Sequence, residues 1–438
     1  MSEVTIYEVG PRDGLQNEKI PIETNDKIQF IDFLSDTGLM FIESGAFVSP
    51  KWVPAMADSN TVLSKIVRKN DIMYPVLTPN LKGLEDAIKY NSDTACVFAT
   101  PSESFSKKNT NCTVKEALHR AKEVTEEAII KGLKVRGYIS TVMFCPYENE
   151  IEPLKVAKLA EELIKMGCYE ISLGDTIGSG TPIKTKEMIR DCIEAVGVEK
   201  LAVHFHDTYG QALANILASL DMGIKVIDTS VGGLGGCPYA PGAKGNVATE
   251  DVLFMLNGMG ITTGVDIEKI CQASEYVFEK LGRVPSSRVF NALKSKKKEI
   301  FNFLMNIVKL AVGINSISEL RSKQEFKRKK YGNNNHITRL FPKKHIEIKN
   351  GGSMFWVING FISARQEIKD IKKVEHDNGI KYCHIILDKK LIETQVIRYR
   401  PFQGWRYLNM EKSPKDLSLD KGTIDGELVK TLKELCII

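Results

Sequence analysis

The chain has 438 residues, more than one ordinary domain and enough for a barrel of about 250 to 300 residues with a smaller unit besides. Its 43% hydrophobic and 26% charged residues are those of a globular protein, and no apolar run approaches the roughly 20 residues that span a bilayer, so no membrane partner is expected. The net charge of +5 hides an asymmetry: Ser295 to Ile438 has 29 Lys and Arg against 16 Asp and Glu, the rest 31 against 39, so a basic unit follows an acidic one.

In chain order, Val4 and Ile6 alternate with polar residues and predict a strand over 4–9, which ends in the charged, glycine-containing segment Glu8-Val-Gly-Pro-Arg-Asp13-Gly-Leu-Gln16-Asn-Glu18. Further strands are expected at 40–44, 73–78, 94–99, 134–140, 170–174, 201–206 and 225–229. Between them, apolar residues recur at helical spacing over 25–37, 114–131, 152–166, 185–196 and 211–222, with Gly38, Gly132, Gly167, Gly197 and Gly223 near the ends. Eight strands alternating with helices predict an α/β fold, a (β/α)₈ TIM barrel over residues 1–294.

The seventh strand reads Leu201-Ala-Val-His204-Phe-His206-Asp207. Strand side chains repeat with period two, so His204 and His206 share a face and can reach one ion, whereas Asp207 points the other way and suits a structural role. A lone histidine would more often be a satisfied core residue; two on one face, among seven in the chain, point to metal ligation. After the eighth strand comes GGLGGCPYAPGAKGN, residues 232–246. Its glycines permit positive φ and close approach to a ligand, and Pro238 and Pro241 limit that freedom. Taken alone, the loop also fits a surface turn with an incidental thiol, Cys237.

Barrel enzymes build their sites at the C-terminal ends of the strands. Arg12 and Asp13 follow strand one, Glu43 ends strand two, Asp175 follows strand six, the two histidines end strand seven and Cys237 follows strand eight. A structural barrel has no reason to gather carboxylates, imidazoles, a guanidinium and a thiol on one rim, so the pattern favours an enzyme over a binding module. Nine cysteines without a CxxC pair, and a first strand that begins almost at residue 1, predict a reducing, cytoplasmic location.

The segments GPRDGLQNE (10–18), FVSPKWVP (47–54), GDTIGSGTP (174–182), HFHDTYGQALAN (204–215) and GGLGGCPYAPGAKGNVATED (232–251) closely resemble the 3-hydroxy-3-methylglutaryl-CoA lyases. The resemblance covers residues 1 to about 294; its Arg-Asp and His-x-His motifs are shared with a wider group that includes isopropylmalate and homocitrate synthases. It implies cleavage of 3-hydroxy-3-methylglutaryl-CoA to acetyl-CoA and acetoacetate, an acyl-CoA as the partner molecule, and a divalent cofactor, Mg²⁺ or Mn²⁺, held by Asp13, His204, His206 and Asn246. It further implies Arg12 beside the thioester, Cys237 as general acid/base, Glu43 and Asp175 in support, and Gln16, Tyr138 and Lys19 around the substrate. It allows a homodimer. A related 3-hydroxyacyl-CoA lyase and a condensing acyl transferase are alternatives; the cysteine loop argues against the synthases. Where the family usually reads serine before FVSPKWVP, this chain has Ala46, which leaves the acyl group less certain than the reaction.

The polar run 295–304 is expected to be a linker to a small, basic α+β domain over 305–438. Strands are expected at 354–359, 382–387 and 394–399, and helices at 317–330, 362–373 and 426–435. HITRLFPKK (336–344), GGSMFWVINGFISARQ (351–366) and RPFQGWRYL (400–408) resemble a bacterial protein family of unknown function. Arg398, Arg400 and Arg406 interleave with Tyr399, Phe402, Trp405 and Tyr407, a pattern that could neutralise phosphates and stack on bases of a nucleic acid. The alternative, favoured here, is that Phe402 and Trp405 belong to the core and the arginines solvate the surface.

Overall fold

The computed structural model describes residues 3–235, 245–332, 334–375 and 379–417, and the chain divides into two compact units, Met1–Leu293 and Lys294–Ile438. In the first unit, parallel strands run Thr5–Glu8, Phe41–Ile42, Gly45–Ala46, Val76–Leu77, Thr94–Ala99, Lys134–Ser140, Glu170–Asp175, Leu201–Phe205 and Val226–Thr229. The last pairs with the first, with Tyr7 opposite Asp228. Phe41–Ile42 pairs with the first strand and Gly45–Ala46 with Val76–Leu77, so these two pieces are one interrupted strand and the sheet closes as the expected (β/α)₈ barrel.

The strands form where apolar side chains are buried on both faces, as Val97, Ile139, Leu173, Val203, Phe205 and Ile227 are. The helices carry their own boundaries: Thr113 and Glu116 make a reciprocal capping box at the start of Val114–Ile130, and Gly167, at φ 115°, closes Pro153–Met166 in a left-handed cap. Two irregularities position chemistry. In the interrupted second strand, Glu43 N–H donates to Glu8 O at 2.8 Å and the Glu43 carboxylate is fully buried. After the first strand, Gly10–Gly14 forms a π-helical turn in which Gly14 N–H returns to Val9 O at 3.2 Å. A Cβ on Gly14 would lie 2.7 Å from Leu234 Cβ, so only glycine lets this turn pack against the segment that leads into the glycine-rich loop.

The second unit is a mixed sheet in the order Asn335–Thr338, Lys381–Leu387, Phe361–Glu375, Ser353–Ile358, Met305–Leu310, Trp405–Asn409, with Ile392–Arg398 also paired to Phe361–Glu375. Met305–Leu310 and Ser353–Ile358 are its parallel pair. The segment expected as a linker is helical as far as Phe303, within Arg288–Phe303. The helix expected at 362–373 is instead part of the strand Phe361–Glu375. Its buried positions Ala364, Gln366 and Ile368 follow period two, and a β-bulge between Ile368 and Asp370 moves the next buried residue to Ile371. That shift makes 364, 368 and 371 imitate helical spacing. The helix expected at 426–435 lies outside the described residues.

The helix Ile317–Tyr331 is pinned to the sheet by a buried amide pair: Gln324 Nε2 donates to Gln366 Oε1 at 2.6 Å and Gln366 Nε2 to Gln324 Oε1 at 2.8 Å. Trp356 Nε1 donates to the same Gln366 oxygen at 2.8 Å. Phe402 and Trp405 each pack against a core cluster, as the reading favoured above expects. Gln366→Leu should leave Gln324 Nε2 and the Trp356 N–H unpaired and cost about 1–3 kcal/mol. Urea unfolding followed by tryptophan fluorescence checks it, because Trp356 and Trp405 are buried or half-buried whereas Trp52 is exposed; an unchanged midpoint would remove the network from the stability of this unit.

Candidate active site

Asp13 leaves the first-strand turn and meets His204 and His206 from the seventh strand. One ligand atom from each of the three lies within 4.8 Å of the others. His204 Nε2 is 3.9 Å from Asp13 Oδ2, and the two imidazole centroids are 5.3 Å apart. Asn246 joins them through Nδ2, 2.8 Å from Asp13 Oδ2, and pairs through its backbone with His206 as an isolated bridge. The four residues expected as metal ligands therefore converge, brought from a turn, a strand end and the exit of the glycine-rich loop.

The electrostatics suit a cation. Burial alone would raise the Asp13 carboxyl, but the Arg12 guanidinium and the neighbouring imidazoles outweigh it and bring it down to about 2. Burial and the adjacent His204 push His206 down to about 4, so its ring is neutral and carries a lone pair at physiological pH. Burial opposes charging of His204 as well, yet Asp228 and Asp13 together hold it above the usual imidazole value. Among the described residues His206 Nδ1 is buried without a hydrogen-bond partner. Carboxylate, two imidazoles and an amide make a donor set that fits Mg²⁺ or Mn²⁺.

Arg12 bridges two acids, with Nη1 2.9 Å from Asp13 Oδ1 and Nη2 2.8 Å from Glu43 Oε2. Its guanidinium also lies over the Tyr138 ring, 5.5 Å from the centroid. Arg12 Nε, Tyr138 Oη and Gln16 Oε1 are buried polar atoms without hydrogen-bond partners among the described residues. All three residues wall a cavity of about 600 Å³ together with Asp13, His204 and His206. Such groups are costly to bury unless a ligand completes them.

The other expected residues divide. Asp175 is buried, takes Gly180 N–H at 2.8 Å, and is raised by burial to about 6; it stands outside the cavity walls. Glu43 is raised by burial against the pull of Arg12 and serves to hold that guanidinium. Lys19 is exposed and outside the walls. Ala46 is buried, its N–H on Ser59 Oγ at 3.1 Å, and also lies outside the walls. Asp207 accepts Ala212 N–H at 3.1 Å, the structural role expected of it. Cys237 lies outside the described residues.

Sequence reading missed the layer beneath. Arg136 is fully buried in the fifth strand and grips Asp228 with Nη1 and Nη2 at 3.0 and 2.7 Å, while its Nε donates to Glu170 at 2.7 Å. Ser172 Oγ adds 2.7 Å to Asp228, whose other neighbour is His204 Nδ1 at 3.5 Å. Burial would raise Asp228, but Arg136 outweighs it and brings the acid to about 2, so a firm negative charge backs the His204 ring. The available signal was a charged residue inside each of two otherwise apolar strands. Glu8 and Glu250 were missed as well; both are fully buried, and burial raises them to about 7 and about 8.

Comparisons with known proteins follow the same division. Residues 3–277 match the family model described as HMGL-like, and residues 307–438 match the one described as protein of unknown function (DUF1489). Over 290 residues the chain is 53% identical to the mitochondrial hydroxymethylglutaryl-CoA lyase of Mus musculus, covering 66% of this chain and 89% of the relative. The crystal structure of hydroxymethylglutaryl-CoA lyase from Pseudomonas aeruginosa aligns with a TM-score of 0.67 at 53% identity, over 67% of this chain and 98% of that one. An HMG-CoA lyase from Acinetobacter baumannii, in complex with coenzyme A and 3-methylmalate, gives a TM-score of 0.64 at 36% identity over 66% and 95% of the two chains.

The buried acids set a pH dependence. Unfolded glutamates ionise near 4.5, whereas Glu8 and Glu250 hold their protons to about 7 and about 8 in the fold. Their stabilising contribution is therefore complete below pH 4.5 and is lost as pH rises through 7 to 8; Asp13 and Asp228, lowered to about 2, add nothing variable in that range. The melting temperature should fall from pH 6 to pH 9, and Glu250→Gln should flatten the fall. A profile that Glu250→Gln leaves unchanged would contradict the assignment.

Proposed function

Since the chain belongs to the HMGL-like family by way of its barrel, we propose that this barrel is a hydroxymethylglutaryl-CoA lyase, cleaving 3-hydroxy-3-methylglutaryl-CoA to acetyl-CoA and acetoacetate. The observation that carries the reading is the convergence of Asp13, His204, His206 and Asn246 beside the incompletely paired Arg12 on one cavity. Asp13, His204, His206 and Asn246 would hold Mg²⁺ or Mn²⁺, Asn246 through its amide oxygen. Bound there, the ion supplies the positive charge that lets a tertiary hydroxyl lose its proton near neutral pH.

The chain's own residues then divide the work. Arg12 engages Asp13 through Nη1 and Glu43 through Nη2, and its unpaired Nε–H is among the donors left for the thioester oxygen. As the C2–C3 bond breaks, the C3–O becomes the ketone of acetoacetate and the released electron pair moves onto the thioester oxygen. Arg12 meets that developing charge with a guanidinium that its two acids hold firmly protonated. Tyr138 and Gln16 would lie around the substrate, Tyr138 Oη–H as a donor to it and the unpaired Gln16 Oε1 as an acceptor. Cys237, on the loop after the eighth strand, takes the C3 hydroxyl proton and returns it to C2, which completes acetyl-CoA. We place the chain in the cytoplasm, on nine cysteines without a CxxC pair.

Two measurements test the reading. Chelation should abolish acetoacetate release and added Mg²⁺ or Mn²⁺ should restore it, while His204→Ala should not be rescued by either; activity that survives both chelation and His204→Ala rejects a metal lyase. For the thiol, Cys237→Ala should lower turnover by about 10²-fold, the scale of a lost acid/base group. Unchanged turnover would remove Cys237 from the proton transfer.

A further inference from the structure

The metal-binding residues come from segments that no β-ladder joins: Asp13 from the π-helical turn, Asn246 from the loop exit. We propose that Glu8 is a positioning residue that registers these two segments, so that one buried carboxyl group assembles the edge of the metal site. The proposal rests on the metal-lyase reading above.

Glu8 ends the first strand and is fully buried. Its Oε1 accepts two backbone N–H groups, Gly10 at 2.8 Å and Val231 at 2.9 Å, and its Oε2 accepts the Thr249 hydroxyl at 2.6 Å. Gly10 opens the turn that carries Arg12 and Asp13; Val231 stands just before the glycine-rich loop; Thr249 stands three residues beyond Asn246. One side chain thus joins the turn to both ends of the loop that carries Cys237. The contact is close enough to dictate sequence, because a Cβ on Gly10 would lie 2.5 Å from Glu8 Oε1. Neighbouring Glu250 repeats the device on the next residue of the stem, its two oxygens accepting Gly232 N–H at 3.1 and 2.8 Å. Neither glutamate walls the cavity.

The role is geometric rather than electrostatic. All three partners donate to Glu8, and in Glu8→Gln the amide oxygen keeps both N–H groups. Its NH₂ then donates to Thr249 Oγ, whose own proton goes to Thr229 Oγ1, 2.8 Å away. Glu8→Asp withdraws the carboxyl by one methylene and cannot span all three. Thr249→Val removes the tie to the loop exit alone.

The experiment measures Mn²⁺ binding to the metal-free full chain by electron paramagnetic resonance, with kcat, KM and the metal-free melting temperature for each variant. Glu8→Asp and Thr249→Val should weaken Mn²⁺ by about 10-fold or more, the scale for residues that orient ligands. Glu8→Gln should stay within about 3-fold of the parent, and kcat should follow the metal affinity. Should Glu8→Asp fail to fold, Thr249→Val and Glu8→Gln still decide. Wild-type affinity in Thr249→Val, or a loss in folded Glu8→Gln as large as in Glu8→Asp, would overturn the proposal. If the parent itself binds no Mn²⁺ in a His204-dependent way, the metal reading fails instead. Hydrogen exchange then carries the test: the amides of Val231 and Gly10 should exchange faster in Glu8→Asp but not in Glu8→Gln, and equal rates in all would overturn it.

Discussion

A fully buried guanidinium, Arg136, is the interaction on which the charged rim of this barrel depends. A carboxylate such as Asp228 cannot sit uncompensated in an apolar interior. Arg136 supplies two hydrogen bonds to it, spends its Nε on Glu170, and spreads its remaining face over the Tyr7 ring at 3.8 Å. With Asp228 held as an anion, His204 has a charged partner behind it and presents its other nitrogen toward Asp13. Arg12 repeats the logic one layer higher, between Asp13 and Glu43. Two buried arginines thus hold four acids, Asp228, Glu170, Asp13 and Glu43, beside the two imidazoles.

The stem of the glycine-rich loop is held by a second strategy, in which acids receive backbone N–H groups, Glu18 while also pairing with Arg283. Val231, Gly232 and Gly235 direct their N–H groups to Glu8, Glu250 and Glu18. Gly232 and Gly233 take positive φ, and a Cβ on either would collide with Phe278 or Ser286. The loop stem is therefore rigidly specified at its entry, and Asn246 is anchored to Leu234 O and Asp13 at its exit. A pinned stem at both ends is the arrangement by which a short loop can carry a reactive group to a fixed place.

The basic second unit uses much of its charge locally. Lys323, Lys329, Lys349, Lys369, Lys372 and Arg365 all pair with nearby acids, and Arg321 pairs with Glu393. Exposed ion pairs of this kind add little stability, about 0–1 kcal/mol each. The residues that the stacking pattern singled out, Phe402 and Trp405, fill gaps beside the two core clusters.

What the sequence by itself determined was whatever has a short period or a short reach. Strand alternation placed His204 and His206 on one face, helical spacing and glycines marked the barrel's helices, and strand order located the rim where Arg12, Asp13 and the loop would meet. It failed where a local irregularity changed the period, as the bulge at Ile368/Asp370 did in the strand read as a helix. Only the tertiary structure decided the layer beneath the site. Glu8, Arg136, Asp228 and Glu250 are scattered over more than 240 residues, and nothing in the neighbourhood of each names its partners. Their roles come from burial and from partners across the barrel, and both are properties of the closed sheet.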